Sequence, residues 1–229
     1  MRFYKTFAGL AFIIITMPVQ SSASSLNCPA LPNAVSDPVG DAQTFQVPTP
    51  DIVCAAVYTA GKDLQLAVTF NPATFDQATA SVAFELDTDR NPATGVPPTN
   101  PPGPYLGVIG VDFSVLFRAR NFGGNWVVDA WDAPHTPVVG PIQYFDNGML
   151  ASIPVSALDG TDGILNYVVE SQTQLSETTW TFIGDYTPGF GQIATTASAP
   201  EPSSLALLLG AFFGLLAASR FGHKRKWPN

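Results

Sequence analysis

The feature that most constrains the fold is a repeated alternation, in which every second residue of a short run is apolar. Leu64, Leu66, Val68 and Phe70 form one side of such a run, as expected for a β-strand with one buried face. Comparable strand-like runs occupy residues 52–58, 82–86, 111–117, 125–131, 142–145, 149–153, 164–169 and 178–183. About nine short strands without crossover helices predict an all-β, antiparallel two-sheet sandwich, with a closed barrel as the alternative.

Turn residues between the runs support this interpretation. Residues 59–62 and 146–148 each join two neighbouring runs, which predicts two hairpins. Residues 154–158 begin with proline and favour a single helical turn. The chain has 21 Pro, 19 Gly and 16 Phe but only 12% charged residues, a composition that suits strands and turns rather than helices or disorder.

Charge is distributed unevenly along the chain. Residues 24–199 contain seventeen acidic and four basic side chains, a net charge of −13, whereas the remaining basic residues lie near the two ends. Such a domain repels phosphate backbones, so we do not expect nucleic acid as a partner. It attracts divalent cations, although solubility alone also favours an acidic surface.

The two ends of the chain have the properties of targeting signals. Residues 1–23 combine Arg2 and Lys5, an apolar run and the small residues Ser22 and Ala23, which predicts a secretory signal helix cleaved after Ala23. In an exported protein, Cys28 and Cys54 are expected to form a disulfide, with buried free thiols as the alternative. We therefore expect a β-sandwich domain at 24–185, a linker at 186–198 and a C-terminal signal at 199–229.

The C-terminal signal has three parts in a fixed order. Pro200-Glu201-Pro202 is followed by an apolar run at 205–221, a short hydrophobic transmembrane helix, and then by a basic cluster at 223–226 that would remain cytoplasmic. This order resembles the PEP-CTERM sorting signal of Gram-negative bacteria, many of which form biofilms. The resemblance implies a transient inner-membrane anchor, cutting near the motif by an exosortase-type membrane peptidase, and release to the cell surface or extracellular matrix.

The best candidate site is a loop of oxygen-bearing side chains directly after the strand at 82–86. Asp87, Asp89 and Asn91 alternate along the chain, so a bending loop could bring their oxygens to one calcium ion. Thr94, a nearby backbone carbonyl or an acid from a neighbouring strand could complete the shell. The alternative is an Asx-rich turn whose side chains bind only their own backbone.

A second candidate lies near the start of the domain. Asp37 and Asp41 flank a Pro-Val-Gly turn, and Asp51 follows before the first strong strand. These carboxylates could supply ligands to the same ion or to a second one. Ordinary turn chemistry is the alternative for this pattern.

The region from Asp37 to Val115 resembles the DOMON and family-9 carbohydrate-binding group of jelly-roll sandwiches. The resemblance rests on the Gly-Asp turn, the Asp-Ile that opens a hairpin, and Leu86-Asp87-Thr88-Asp89 followed by Asn-Pro-x-Thr-Gly. It implies binding of sugars, haem or calcium. Haem is disfavoured because Met149 and His135 are the only Met and His of the mature domain. A sugar platform could use Trp126, Trp131, Tyr144 and Trp180, unless these aromatics belong to the core.

Patterns of catalytic residues are weak. A Ser-His-Asp triad would have to use His135, but no nucleophile-elbow glycine pattern accompanies any Ser, and no His/Cys cluster with zinc spacing is present. The sequence therefore predicts a non-catalytic surface or matrix protein that binds an exopolysaccharide or other glycan with the help of calcium. The alternatives are a structural or adhesive biofilm matrix protein without a small-molecule site, and a secreted glycoside-active enzyme that uses paired carboxylates.

Overall fold

The computed structural model describes residues 24–43, 47–95, 109–130, 137–159, 161–181, 184–188 and 192–196. In these residues thirteen strands form two antiparallel sheets, so the predicted all-β class is confirmed. The first sheet contains β1 (Val35–Ser36), β2 (Ile52–Ala60), β3 (Asp63–Phe70), β8 (Gln143–Phe145) and β9 (Gly148–Pro154). Its strand order is β1–β2–β3–β9–β8.

The second sheet is the larger one. It contains β4 (Ala80–Asp87), β5 (Phe113–Phe117), β6 (Asn125–Ala130), β7 (Val138–Pro141), β10 (Asn166–Ser176), β11 (Thr179–Trp180), β12 (Asp185–Thr187) and β13 (Ala194–Thr195). Its main path runs β11–β10–β4–β5–β6–β7, and both β12 and β13 also pair with β10. The signal helix, the hydrophobic helix and Pro200-Glu201-Pro202 lie outside the described residues.

The alternation in the sequence accounts for the register of the first sheet. In the β2–β3 hairpin, Val57 lies opposite Leu66 and Ala55 opposite Val68, and all four side chains are buried. The second predicted hairpin is formed by β8 and β9, which pair across residues 145–148. Both hairpins are thus confirmed.

The two sheets enclose one hydrophobic core. Phe70 of the first sheet and Phe84 and Phe117 of the second belong to a single buried cluster, and the rings of Phe84 and Phe117 lie 5.0 Å apart between centroids. Burial of such aromatic and aliphatic side chains between two sheets is the main favourable contribution to folding. The architecture is therefore a β-sandwich.

Strand β10 extends well beyond the predicted run at 164–169. It has eleven residues and pairs with β4 from Asn166 opposite Asp87 to Thr173 opposite Ala80. Polar side chains such as Gln172 and Gln174 interrupt the apolar pattern in the second half of the strand. In this half of the strand, backbone pairing with β4 maintains the extended conformation, although the side-chain pattern alone does not predict a strand.

The segment at 186–198, expected to be a linker, contains strand β13 and most of β12. Asp185–Thr187 and Ala194–Thr195 pair with β10, so the sandwich continues to at least Thr196. Residues 155–157 form the single helical turn expected there, of the 3-10 type. Across the described part of the chain, no helix is both long and apolar enough to cross a membrane.

A disulfide joins Cys28 to Cys54, as predicted. Both cysteines are fully buried, and the bond fastens the N-terminal segment to β2. Asn147 in the β8–β9 turn supports the same segment, because its side chain accepts from Leu26 N at 2.8 Å and donates to Leu26 O at 3.1 Å.

Replacing both cysteines, Cys28→Ala with Cys54→Ala, should lower the free energy of unfolding by about 3 kcal/mol, because the cross-link restricts the unfolded chain. Urea unfolding monitored by tryptophan fluorescence measures the change. Wild-type protein unfolded with a reductant should lose a similar amount. Equal stability of the oxidised, reduced and substituted proteins would contradict the prediction.

Candidate metal centres

Three carboxylates meet at the end of strand β4. Asp87, Asp89 and Asp112 each place one oxygen within 4.8 Å of the others. Asp87 ends β4, Asp89 lies on the following loop, and Asp112 directly precedes β5. Asp112 is held in place because it accepts from Thr88 N and from Thr88 Oγ1, both at 2.8 Å.

Two glycines allow the loop to approach the segment before β5. Gly95 has a φ of +68°, and a side chain there would meet the backbone oxygen of Val111. A side chain at Gly110 would overlap the backbone oxygen of Thr94. Only glycine permits this contact between two backbones, and the contact places Asp112 beside the loop.

Asn91 and Thr94 organise the loop through its own atoms. Asn91 Oδ1 accepts from Ala93 N at 3.1 Å, and Thr94 Oγ1 lies 2.8 Å from both Asp89 Oδ2 and Asn91 O. These are the bonds of an Asx-rich turn. The loop thus combines the two interpretations left open by the sequence: Asn91 and Thr94 bind within the loop, whereas three carboxylates converge beside them.

The electrostatics of this group differ from one carboxylate to the next. Burial raises the pKa of Asp87, and a hydrogen bond from Asn166 Nδ2 opposes the increase. Hydrogen bonds from Thr94 and from Asn91 N lower the pKa of Asp89. Arg90, although it lies between them in sequence, pairs with Asp162 at 3.5 Å. Among the described side chains, no Lys or Arg therefore neutralises the three carboxylates.

A second group contains both Asp residues predicted near the start of the domain. Asp37, Asp41 and Asp185 each offer one oxygen within 4.8 Å of the others. Asp37 and Asp185 are buried and Asp41 is exposed. Asp185 accepts from the backbone nitrogens of Ile52 and Tyr186, so it joins the start of β12 to the start of β2.

Asp51 organises this second group rather than joining it. Its carboxylate accepts from Gly40 N at 2.9 and 3.1 Å and from Asn71 Nδ2 at 3.0 Å. Gly40 has a φ of +91° and lies between Asp37 and Asp41. Asp51 therefore holds the turn that carries the two candidate ligands.

The neighbouring carboxylates contribute to a raised pKa of Asp185. Burial raises its pKa to about 7, and the charges of Asp37 and Asp41 add to the increase, while the bonds from Ile52 N and Tyr186 N oppose it. A cation among the three groups would remove this repulsion and favour the ionised form.

The donor atoms of both groups suit a hard cation. Every donor is a carboxylate oxygen, and such oxygens are preferred by calcium and magnesium, whereas zinc and copper favour His and Cys. Calcium accepts irregular loop geometry more readily than magnesium does. The residues present therefore fit calcium, which backbone carbonyls and water would help to coordinate.

Asp112 and Asp185 were not predicted as ligands. Asp112 follows an apolar residue at the start of a strand, Asp185 is the last residue before the expected linker, and neither has an acidic neighbour within two positions. Each joins its group through contacts distant in sequence. The only usable signal for Asp112 was the expectation that a neighbouring strand would supply one more acid.

Those of the four candidate aromatic side chains that lie in the described residues do not form a row. Trp126 is 3% exposed and belongs to the core. Tyr144 is half-buried, donates to Arg118 O at 2.9 Å and packs beneath the guanidinium of Arg120. Trp180 lies on the short strand β11, and Trp131 lies outside the described residues. The described aromatics therefore give no support to a sugar platform.

A pair of glutamates lies on the outer face of the larger sheet. Glu85 is 8% exposed and Glu170 is 4% exposed, near a small apolar cluster formed by Ile109, Val111, Val168 and Tyr186. Burial raises the pKa of Glu170 well above its usual value, and the charge of Glu85 adds to the increase. Glycoside cleavage needs two carboxylates that a sugar can reach, and these two are covered.

A surface depression of about 510 Å³ lies beside the first group. Thr59, Lys62, Asp63, Ser156 and Asp162 are among its lining residues. Asp162 connects it to the first group, because Asp162 pairs with Arg90 of the loop. The lining offers hydroxyl, ammonium and carboxylate groups for hydrogen bonding.

Comparisons with family models and curated proteins found no relative of this chain. No family model matches the chain, and none of the curated proteins is significantly similar to it.

The titration of Asp185 predicts a pH-dependent stability in the absence of cations. Because its pKa is about 7 in the folded protein and about 3.9 in an unfolded chain, its contribution is fully present below pH ~4 and is lost as the pH rises to ~7. With EDTA present, the melting temperature of the wild type should fall across this range relative to Asp185→Asn.

Asp159→Asn, at an exposed position, is the matched control and should follow the wild type at every pH. The prediction would be contradicted if the melting temperatures of the wild type and Asp185→Asn changed by the same amount between pH 4 and pH 8.

Proposed function

We propose that the protein is an exported, non-catalytic β-sandwich of the jelly-roll-like kind that binds calcium at Asp87, Asp89 and Asp112. The observation that carries this proposal is the convergence of three carboxylates within 4.8 Å on a loop fixed by backbone contact at Gly95 and Gly110. Among the described side chains no Lys or Arg offsets the charge of these carboxylates, and a divalent cation would do so.

The second group, Asp37, Asp41 and Asp185, is proposed to hold a further calcium ion with lower affinity. Two of its three residues are buried, and both oxygens of Asp185 already accept backbone hydrogen bonds. Burial also raises the pKa of Asp185 to about 7, so a proton competes with the cation for this carboxylate near neutral pH.

The cellular role follows from the two ends of the chain. Cleavage after Ala23 and sorting through Pro200-Glu201-Pro202 by an exosortase-type peptidase would place the domain at the cell surface or in the extracellular matrix. Millimolar calcium in such surroundings suffices for sites of modest affinity. A calcium-stiffened sandwich is suited to a role in a biofilm matrix.

Calcium should raise the melting temperature. If Kd is about 10 μM, 1 mM calcium stabilises the folded protein by roughly 2.7 kcal/mol over 1 mM EDTA, equivalent to about 5–10 °C. In calorimetry, Asp89→Asn or Asp112→Asn should weaken the tighter site by roughly tenfold or more, because each removes one ligand charge.

The matched control is Asp146→Asn, which changes an exposed aspartate in the β8–β9 turn and should bind calcium as the wild type does. No heat of binding and no change in melting temperature with 1 mM calcium would overturn the proposal and leave a purely structural matrix protein.

Glycan binding is a second candidate, supported by the depression beside the loop. Its volume of about 510 Å³ lies within the range of small-molecule sites, and the polar groups in its mainly apolar lining could form hydrogen bonds with sugar hydroxyls. Arg90 links the calcium loop to Asp162 in its wall, so an ordered loop would help to fix one side of the site. This arrangement favours calcium-dependent binding of an exopolysaccharide.

Affinity electrophoresis through gels containing the exopolysaccharide of the producing bacterium tests this candidate. Lys62→Gln and Asp162→Asn should weaken retardation by roughly threefold or more, the loss expected when one hydrogen bond to the ligand is removed, and EDTA should weaken it in the wild type. Asp146→Asn serves as control. Equal migration of all variants with and without polysaccharide would exclude this site as the glycan site.

A further inference from the structure

The C-terminal strand β13 is attached to the sandwich by a small set of bonds next to the Asp87 group. Thr195 pairs with Asn166 and Ala194 with Tyr167. Thr196 adds three bonds: its N donates to Leu165 O at 2.9 Å, and its Oγ1 accepts from Leu165 N at 2.9 Å and donates to Gly163 O at 3.1 Å. A two-residue strand at a sheet edge has low local stability, so each bond matters.

Asn166 lies between this strand and the acidic loop. In the register of the larger sheet it is opposite Asp87 of β4 on one side and opposite Thr195 of β13 on the other. The three side chains therefore share one row across three strands and point to the same face.

Both ends of the Asn166 amide are used in that row. Its Nδ2 donates to Asp87 Oδ2 at 3.2 Å, and its Oδ1 accepts from Thr195 Oγ1 at 2.8 Å. Asn166 is 8% exposed, so water competes little for either bond. The donor and acceptor ends of an amide are fixed relative to each other. The position of the Asp87 carboxylate therefore sets the position of Asn166 Oδ1, which accepts the hydrogen bond from Thr195.

We propose that Asn166 is a positioning residue that couples cation binding at Asp87 to the docking of the C-terminal strand β13. The inference rests on the proposed calcium site and extends it. A cation coordinated by Asp87 fixes that carboxylate, the carboxylate fixes the Asn166 amide, and the amide holds Thr195. By linkage, a docked β13 strengthens calcium binding by the same factor by which calcium strengthens docking.

The coupling has a consequence for the end of the chain. Pro200 follows Thr196 by four positions, so the docking of β13 fixes where the chain leaves the sandwich on its way to the sorting motif. With β13 docked, the last residue attached to the sandwich before Pro200 is Thr196, next to the row of Asn166 and Asp87. With β13 released, the last strand attached before Pro200 is β12, which ends at Thr187.

Hydrogen exchange with mass spectrometry on the full-length chain in detergent tests the coupling, with calcium chloride or EDTA as the only difference. In the wild type, calcium should slow exchange in residues 192–198 roughly three- to tenfold, the factor expected for one hydrogen bond. Residues 52–60 in the core serve as the internal control for any general stabilisation.

Thr195→Val and Thr195→Ser form a matched pair at an exposed position. Thr195→Val removes the hydroxyl, so calcium should slow exchange in residues 192–198 no more than it does in residues 52–60. The calcium Kd should rise by the factor by which calcium slows exchange in residues 192–198 of the wild type relative to the core. Thr195→Ser keeps the hydroxyl and should behave as the wild type in both measurements.

The two proposals fail in different ways. If calorimetry detects no calcium binding by the wild type, the calcium site is wrong and the coupling falls with it. If calcium binds but leaves residues 192–198 unchanged relative to the core, or if Thr195→Val and Thr195→Ser do not differ, the coupling is wrong while the calcium site stands.

Discussion

The pairing of β10 with β4 is the interaction on which the rest of the structure depends. β10 is the longest strand, and it pairs with β4 on one edge and with β11, β12 and β13 on the other. This pairing places Phe84 and Val169 in the core. It also brings Asn166 to Asp87, and on its other edge β10 positions Asp185 through β12. Both carboxylate groups therefore depend on one strand that carries none of the six proposed ligands.

Local pattern was sufficient for the hairpins and for much of the core. The period-two spacing of Leu64, Leu66 and Val68 predicted β3, and turn residues predicted its connection to β2. Strand β7 was missed because Pro137, Gly140 and Pro141 are typical of a loop. It forms because β6 offers a partner: Val127 pairs with Val139, and Gly140 makes room for the Trp126 ring.

The candidate sites show the same division between local and distant information. Asp87 and Asp89 could be chosen from sequence because alternating acids after a strand are a local pattern. Asp112 and Asp185 could not, because the first reaches the loop through the approach of Gly95 to Val111 and the second through strand pairing. The roles of Asn91, Thr94 and Asp51 also depended on bonds that spacing does not reveal, since each supports a loop instead of converging with the carboxylates.

The acidity of the domain has a structural cost that cations can relieve. The raised pKa values of Asp87, Glu170 and Asp185 all follow first from burial. For Asp185 and Glu170, neighbouring carboxylates add to the increase. A sandwich built in this way is held together by its apolar core, while the charge it carries at its edges and outer face makes it responsive to the ions around it.

The disulfide has a consequence for the second group of carboxylates. Cys54 lies opposite Ser36 in the β1–β2 pair, and Asp37 is the next residue along the chain, so the bond to Cys28 clamps the segment that delivers Asp37 and Asp41. In a reducing compartment this segment would lose the cross-link and be held by hydrogen bonds alone, among them those of β1 and of the turn bonded to Asp51. The three aspartates would then meet less often. If the group binds a cation as proposed, its affinity would thus depend on the disulfide and would be greatest in an oxidising compartment.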